Sequence, residues 1–490
     1  MSKRSRRQFL EDSMLVAAAA VATNSSTRLF AADEPPAGKS ANDKLGVAVV
    51  GVKGRGGSHI GAFTDQKNNT EILYVCDVDR DIGPGRAKEI AKRQDGREPQ
   101  FVEDVRKLLE DPRVDIVSVA TPNHWHSLAA IWAMQAGKDV YVEKPVSHNV
   151  SEGRRCVEVA RKYSKICQTG TQSRSNPGMI EAMEYVQSGK IGEVSLARGL
   201  CYKPRGSIGP KGDYPIPANI NYDLWLGPAP LAPLTRKQLH YDWHWQWPYG
   251  NGDLGNQGIH QMDLARWGLN VSALPNEVLS YGGRFGYEDA GETANTQVVA
   301  MNYGLKSLIF EVRGLKTAPY KGAGVGVIFE GTDGYVVMSS YHSGAAFDKS
   351  GNKVKEFGGE ADHFKNFLAA VRSRKIKDLN ADIEQGHLSS ALCHLGNISY
   401  RLGEQVSVAD AAKKLAAVTT ADNNQETWER TTSHLSENKV DLNEIKIGFG
   451  RVLKVDPKTE TFTGSGVDDA NAMLTRDYRA PFVVPAADKI

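Results

Sequence analysis

Two basic side chains in this 490-residue sequence have the types and settings that acid–base chemistry at an alcohol carbon requires. Lys144 follows the apolar run Asp139–Val142 and precedes Pro145, which restricts the local backbone. His260 lies much farther along, in a helix-forming stretch. Partial desolvation lowers the pKa of a lysine and an imidazole titrates near neutrality, so the pair suits removal of a hydroxyl proton and stabilisation of the alkoxide. The alternatives are a surface lysine paired with Glu143 and a buried structural histidine.

A glycine-rich turn near the start of the chain predicts a dinucleotide site. The apolar run Leu45–Val50 is typical of a strand buried on both faces, and a helix is expected after the turn. Glycine there lets the backbone turn tightly and approach a pyrophosphate at the helix N-terminus. The spacing is imperfect, because Lys53 stands where the usual pattern has its second glycine. The turn contains Gly51, Gly54, Arg55 and Gly56.

An acidic residue, Asp77, ends the second predicted strand, Ile72–Cys76. A carboxylate at this position accepts hydrogen bonds from an adenosine ribose and repels a 2′-phosphate. Asp77 therefore favours NAD over NADP, while the nearby Arg80 keeps NADP open as an alternative.

Strand and helix patterns alternate through residues 45–166, which predicts an α/β fold with a doubly wound parallel sheet of the Rossmann type. Helices are expected over 102–109 and 128–136. Short strand-like runs after residue 275 imply a sizeable second sheet within residues 167–490. The sequence therefore divides into a dinucleotide-binding domain and a C-terminal domain.

Four segments, in this order and spacing, resemble the Gfo/Idh/MocA oxidoreductase family, which includes glucose–fructose oxidoreductase and inositol dehydrogenase. They are the turn at 51–56, Asp77, Thr121–His126 and Glu143–Pro145, of which Glu-Lys-Pro is the most specific. The resemblance implies a Rossmann domain followed by an α/β domain with a large, mostly antiparallel open sheet. That sheet would form the substrate face and, commonly, the interface of a homo-oligomer. The implied activity is NAD(P)-dependent hydride transfer to or from a sugar, polyol or sugar derivative.

The resemblance also assigns residues to the cofactor. It places Lys144 beside nicotinamide and substrate, and Pro122, Asn123 and His126 around the nicotinamide ribose. The complete set predicted to bind the cofactor is Gly51, Gly54, Arg55, Gly56, Asp77, Pro122, Asn123, His126, Glu143, Lys144 and Gln172.

The predicted catalytic set is Lys144, His260 and Asn256. In the family an aspartate lies four residues before the histidine, and Asn256 occupies that position here. Asparagine can hold a substrate hydroxyl but takes up no proton near neutral pH. We therefore expect His260 and Lys144 to act as the acid and base. Asp263, one helical turn after His260, either orients the imidazole or forms a local salt bridge.

The predicted substrate contacts are Arg174, Trp243, His244 and Asp263. Residues 240–249 interleave aromatic rings with polar groups, a composition suited to stacking on the C–H face of a sugar. These tryptophans fit a core or a subunit contact equally well, and Arg174 fits a solvated loop nearly as well. His124 and His126 are two residues apart with no acidic or cysteine cluster nearby, so no metal site is expected.

Composition excludes several other classes of protein. Lys and Arg total 60 against 58 Asp and Glu, and such balance argues against nucleic acid or an anionic membrane as the main partner. Five cysteines without C-x-x-C spacing offer neither a disulfide framework nor a zinc ribbon. A small molecule is therefore the expected partner.

The N-terminal residues predict a targeting signal. Arg6 and Arg7 precede a short apolar stretch, and together they resemble a twin-arginine export signal over residues 1–32. The apolar stretch itself is too short for a membrane anchor. Residues 33–44 are polar and proline-bearing, as in a linker. We expect a periplasmic protein that leaves the cytoplasm folded. Because its compartment holds no free nicotinamide pool, the cofactor should be tightly bound.

Three functions remain open from the sequence. The first is a sugar or polyol oxidoreductase, supported by the ordered strand-end motifs and His260. The second is an exported glycosidase that uses bound NAD transiently, and the third is a non-catalytic sugar-binding protein. Asn256 in place of the usual aspartate motivates both alternatives.

Overall fold

A computed structural model describes residues 43–490, so the expected export signal and almost all of the linker lie outside the described residues. The first sheet has six parallel strands, which confirms the predicted Rossmann-type α/β fold. These strands are β1 Leu45–Val50, β2 Thr70–Cys76, β3 Gln100–Val102, β4 Ile116–Val119, β5 Asp139–Val142 and β6 Cys167–Thr169. Their spatial order is β3-β2-β1-β4-β5-β6. Strands β2 and β3 are added on one side of β1 and the next three strands on the other, and a crevice forms at the carboxyl ends where this order switches.

Five helices connect these strands: α1 Gly56–Phe63, α2 Ile82–Arg93, α3 Val105–Leu109, α4 Asn123–Gln135 and α5 Val150–Lys162. Two differ from the sequence expectation. Strand β3 occupies the start of the expected helix 102–109, and α3 begins only after Asp104, whose carboxylate caps it. Helix α4 begins at Asn123 rather than residue 128, because Pro122 suits the start of a helix. Strand β6 lies just beyond the domain boundary expected at residue 166.

The second sheet has twelve strands and is mostly antiparallel, with β7 and β10 paired in parallel. Its strands are β7 Val194–Tyr202, β8 Glu277–Gly283, β9 Thr296–Asn302, β10 Ser307–Arg313, β11 Val325–Gly331, β12 Gly334–Met338, β13 Gly344–Asp348, β14 Lys353–Phe357, β15 Glu404–Val406, β16 Ile447–Phe449, β17 Leu453–Asp456 and β18 Thr461–Thr463. The main path runs β14-β13-β12-β11-β7-β10-β9-β8-β16-β15.

Eight α-helices follow β6 in the described residues. They are α6 Pro177–Gln187, α7 Tyr222–Leu226, α8 Ile259–Gly268, α9 His363–Ser373, α10 Ile383–Arg401, α11 Val408–Leu415, α12 Asn424–Glu437 and α13 Asp468–Ala472. Helices α8 and α10 pack on one face around Phe310, whereas α11 and α12 pack on the other around Ile309. Neighbouring residues of β10 point to opposite faces, so the apolar run Leu308–Phe310 contributes side chains to both layers.

The chain returns from the second sheet to the first. Helix α9 inserts Phe364 and Phe367 into the apolar core of the Rossmann sheet, where the Phe364 ring stacks on Tyr141 at a centroid distance of 4.4 Å. The two sheets therefore share packing, and the site between them is held on both sides. Within residues 43–490, no helix has the length and apolar character needed to cross a bilayer.

Candidate active site

The glycine turn after β1 fits a pyrophosphate. Gly51 has φ of +80°, and a Cβ there would lie 2.7 Å from the carbonyl oxygen of Ala120. A Cβ on Gly56, the first residue of α1, would lie 2.0 Å from the Gly51 carbonyl oxygen. Side chains are therefore excluded at both positions, which leaves the turn before α1 free of Cβ atoms where a pyrophosphate would approach the backbone.

Asp77 lies at the carboxyl end of β2 and faces the same turn. Its Oδ2 accepts a hydrogen bond from the Val52 amide at 2.9 Å, and its Oδ1 accepts one from the Asp79 amide at 3.0 Å. Burial raises the pKa of Asp77, and these amides partly offset that rise. The half-exposed Arg80 side chain forms a salt bridge with Glu103 at 2.8 Å, so its guanidinium is already paired with a carboxylate rather than free to bind a 2′-phosphate. This arrangement fits the ribose of NAD better than a 2′-phosphate.

A cavity of about 570 Å³ lies at the carboxyl ends of these strands, and residues from both domains form its wall. Fourteen of the seventeen residues predicted for the site line it, while Gly56, Arg174 and Asp263 do not. The lining residues are Gly51, Gly54, Arg55, Asp77, Pro122, Asn123, His126, Glu143, Lys144, Gln172, Trp243, His244, Asn256 and His260. Gly56 acts through the backbone approach described above.

Glu143 is a buried anion that ties the glycine turn to the end of β5. Its Oε1 receives Arg55 Nε at 2.7 Å, His59 Nε2 at 3.2 Å and Gln172 Nε2 at 3.2 Å. Burial acts to raise the Glu143 pKa, but Arg55 and His59 outweigh it and hold the pKa well below its usual range. Glu143 thus stays charged and fixes Arg55 beside the cavity, leaving the Lys144 ammonium unpaired with it.

Lys144 joins the two domains across the cavity. Its Nζ donates to the backbone carbonyl of Asn256 at 2.6 Å, although the two residues are 112 positions apart. Burial lowers the Lys144 pKa, and the nearby Glu143 charge opposes that effect. The surface pairing of Lys144 with Glu143, one alternative from the sequence, is absent, since Glu143 bonds Arg55 instead. An ammonium with a lowered pKa is available at the cavity wall to donate or relay a proton.

Asn256 lies in a single π-helical turn, Leu254–Gly258, which leads into α8. Such turns widen the helix and frequently occur at functional sites. His260 follows in the first turn of α8, and both residues line the cavity. The helix-forming stretch that the sequence predicted around His260 gave no sign of this distortion.

The His260 imidazole is buried and neutral. Its side chain packs edge-on against the Tyr341 ring at a centroid distance of 5.0 Å, and Nδ1 is buried without a hydrogen-bond partner among the described residues. Burial, followed by the charge of Lys144, lowers its pKa well below 6.5. The ring therefore offers a proton acceptor within the cavity at neutral pH.

Arg174 and Asp263 form a buried ion pair outside the cavity wall. Arg174 Nε and Nη2 donate to the two Asp263 carboxylate oxygens at 2.7 and 2.9 Å, and Ser389 Oγ donates at 2.6 Å. Each charge lies in the interior and needs the other. The structure thus does not bring these two predicted substrate contacts to the cavity, and it gives Asp263 a salt bridge rather than a contact with His260.

Trp243 and His244 form a stacked aromatic pair in the wall. Their rings stack with centroids 3.6 Å apart and planes inclined by 20°. Burial lowers the His244 pKa to about 3, so this ring is neutral as well. The pair presents a flat, uncharged surface on which a sugar face can stack.

His126 lines the cavity but its nitrogens are occupied. Nδ1 lies 2.6 Å from the Pro145 carbonyl oxygen and Nε2 lies 2.7 Å from that of Thr121. Neither nitrogen is open to a ribose, in contrast to the role implied by the family. In residues 43–490, no group of three or more His, Cys, Asp or Glu side chains is placed to hold a metal ion.

Tyr341 is the main residue of the wall that the sequence did not reveal. It stands between β12 and β13, its hydroxyl receives Gln257 Nε2 at 2.6 Å, and its ring contacts His260. His240, Tyr241 and Trp225 were also missed as individual wall residues. Nothing local marks a single tyrosine between two strands, because only the long-range fold brings it to the site.

The fold and site are those of a two-domain dinucleotide-binding protein. A Rossmann domain forms one side of the cavity, and an α/β domain forms the other. Sequence comparison agrees. Residues 45–171 match the oxidoreductase family with an NAD-binding Rossmann fold, Gfo/Idh/MocA, and residues 209–433 match the C-terminal α/β domain of the same family. The chain belongs to the Gfo/Idh/MocA oxidoreductases and is an NAD-binding member.

Two curated relatives illustrate the similarity. Inositol 2-dehydrogenase/D-chiro-inositol 3-dehydrogenase of Lacticaseibacillus casei is 25% identical over 272 residues, which cover 54% of this chain and 74% of the relative. Levoglucosan dehydrogenase of Pseudarthrobacter phenanthrenivorans is 28% identical over 208 residues, covering 42% of this chain and 46% of the relative. The match thus spans less than half of the second relative.

Two solved structures share the fold. A levoglucosan dehydrogenase in complex with NADH superposes with a TM-score of 0.55 at 16% identity, over 72% of this chain and 95% of that chain. The WlbA dehydrogenase of Bordetella pertussis, solved with NADH and UDP-GlcNAcA, gives a TM-score of 0.53 at 19% identity, over 71% of this chain and 94% of that chain.

Proposed function

We propose that the protein is an NAD-dependent oxidoreductase that transfers hydride between the nicotinamide and a sugar, polyol or sugar derivative. The convergence of Lys144 and His260 on one cavity, beside a turn shaped for pyrophosphate, carries this proposal. The inositol and levoglucosan dehydrogenases among its relatives support a carbohydrate substrate. We retain NADP as a weaker alternative cofactor.

The residues of the cavity divide the chemistry between them. When bound, NAD supplies the hydride acceptor or donor at the reacting carbon. The neutral His260 accepts the hydroxyl proton as the alkoxide develops, and the Lys144 ammonium stabilises the negative charge that develops on that oxygen. Asn256 holds a substrate hydroxyl through its side-chain amide. Trp243 and His244 cover the sugar face and exclude water.

The proposal is tested with purified protein, a panel of sugars and polyols, and the absorbance of reduced nicotinamide. Turnover with at least one neutral sugar or polyol is expected. The Lys144→Ala variant should lose most of it, and full retention would count heavily against this site.

A glycosidase with bound NAD is the second candidate. A glycosyl hydrolase family 109 protein of Shewanella is 28% identical over 202 residues, and Asn256 replaces the family aspartate in this chain. Such an enzyme would release the aglycone of a nitrophenyl glycoside with no net change in the cofactor. Net NADH formation without aglycone release separates the first candidate from it. Binding of sugar without either reaction would indicate the third, a non-catalytic binding protein.

We also propose export to the periplasm by the twin-arginine pathway, a tightly bound cofactor and assembly as a homo-oligomer. The arginine pair near the N-terminus supports export, and an exported oxidoreductase has no free nicotinamide pool to draw on. Native mass spectrometry of the purified mature protein is expected to show dinucleotide on each subunit. Rapid loss on dilution would contradict tight binding, and the same spectrum gives the subunit count.

A further inference from the structure

Residues 203–249, here called the strap, follow β7 and contact the first domain where β2 ends. Asp79 and Ile220 form an isolated antiparallel bridge. The Arg80 amide donates to the Asn219 carbonyl at 2.9 Å, and the Asn221 amide donates to the Val78 carbonyl at 3.0 Å. The second domain thus reaches over the edge of the sheet where the ribose-binding carboxylate, Asp77, also stands.

Side chains reinforce this bridge. Asp79 is buried, its Oδ1 receives Asn219 Nδ2 at 2.8 Å, and its Oδ2 faces His240 Nε2 at 3.0 Å. Asn221 Nδ2 donates to Glu103 Oε2 at 3.0 Å. Two acidic groups of the first domain therefore hold polar groups of the strap.

The strap is a packed layer with a core of its own. Trp225, Leu226 and Tyr249 are buried together within it. The Arg236 guanidinium, 1% exposed, lies against the Trp225 ring and donates to Gln246 Oε1 at 2.7 Å and to the Leu239 carbonyl at 2.9 Å. Because its own apolar core and buried hydrogen bonds hold the strap together, we expect it to move as one unit relative to the first domain.

Strap and first domain line the same cavity. Asp77 and Glu103 form its wall on one side, and His240, Tyr241 and Trp243 of the strap form it on another. We propose that the strap is the second half of the dinucleotide site and retains the cofactor through turnover. This inference rests on the proposed function, because it takes NAD as the occupant. It assigns cofactor binding to residues of the C-terminal domain and makes strap opening a condition of release.

The first test weakens the anchors outside the cavity wall. Asn219→Ala removes the amide that bonds Asp79. Asn221→Asp keeps the Oδ1 that caps α7 through the Leu224 amide at 3.2 Å, but sets a carboxylate against Glu103. Each variant should release NADH about tenfold faster than the wild type, which corresponds to about 1.4 kcal/mol. The rate is measured by the fluorescence decay of NADH-loaded protein mixed with excess NAD.

A matched control is Asn438→Ala, which removes a side-chain bond to the Lys316 carbonyl at 2.8 Å and lies outside the strap and the wall. Its NADH release should equal that of the wild type. Thermal unfolding of all variants shows whether faster release follows from general destabilisation. Faster release in the control would overturn the assignment to the strap.

The second test locks the strap to the sheet. Asp79 and Ile220 are opposite each other without direct hydrogen bonds between them, a pairing with a Cα separation of about 4.5 Å that a disulfide can bridge. The five native cysteines are buried and unpaired, so reductant acts selectively on the Asp79→Cys/Ile220→Cys pair. The oxidised protein should release NADH at least tenfold more slowly than the same protein reduced.

The outcomes separate the two proposals. Equal release rates for oxidised and reduced protein, together with unchanged rates in the asparagine variants, would refute the strap while leaving NAD binding intact. Failure of the wild type to bind NADH at all would refute the proposed function itself.

Discussion

Replacing Lys144 by methionine tests the proposed chemistry most directly. Methionine matches the length of the lysine stem and removes only the ammonium. Within residues 43–490 the group makes one hydrogen bond, to the Asn256 carbonyl at 2.6 Å, so its removal should cost the folded protein about 1.5–3 kcal/mol. The variant should therefore fold and bind NADH.

The catalytic loss should be far larger than the loss of affinity. A positioned acid–base group contributes about 10²–10⁴-fold to the rate, or roughly 2.7–5.4 kcal/mol of transition-state stabilisation. We expect kcat for the best sugar to fall within that range while the NADH dissociation constant changes less than about threefold. Steady-state rates with the preferred sugar, NADH fluorescence titration and thermal unfolding measure the three quantities.

Lys306→Met is the matched control, because Lys306 Nζ also donates to a backbone carbonyl, that of Leu269 at 2.7 Å, but away from the cavity wall. Its kcat should equal that of the wild type. A Lys144→Met enzyme that keeps kcat within about threefold of the wild type would show that the ammonium takes no part in the reaction.

Three further outcomes follow from the site. Asp77→Ser removes the charge that repels a 2′-phosphate, so the ratio of kcat/KM for NADP to that for NAD should rise at least about tenfold; an unchanged ratio would exclude Asp77 from cofactor selection. Because burial lowers the His260 pKa, its neutral form persists below pH 6.5, and kcat/KM should fall only at clearly lower pH; a decline centred at 6.5 would contradict this. Asp263→Asn leaves Arg174 buried without its partner and should reduce the free energy of unfolding by about 3–5 kcal/mol, measured by urea denaturation; a change below about 1 kcal/mol would contradict the pairing.

The local sequence pattern was sufficient to predict most strands of the first domain. Short apolar runs located β1, β2, β4 and β5, since strands buried on both faces need apolar residues throughout. Parallel strands bring their carboxyl ends to one edge, which explains why Asp77, Asn123 and Lys144, each located after a strand, line one cavity.

Contacts between distant segments were beyond the sequence. The π-helical turn at Asn256 has no residue signature of its own, and without its geometry the direction of Asp263 could not be predicted. Tyr341 and the residues of the strap reach the cavity only through the second sheet. Helix α9 packs under a sheet whose last strand ended almost 200 residues earlier, a contact that periodicity cannot reveal.

The helices over the outer face of the twelve-stranded sheet bear on how copies of this chain can meet. Glu311 is buried beneath them against Arg198 at 2.7 Å and Arg430 at 2.8 Å. Lifting α12 away would separate Arg430 from Glu311 and expose apolar surface to water. Where α11 and α12 lie over this face, a subunit that docked there would meet helices rather than bare sheet.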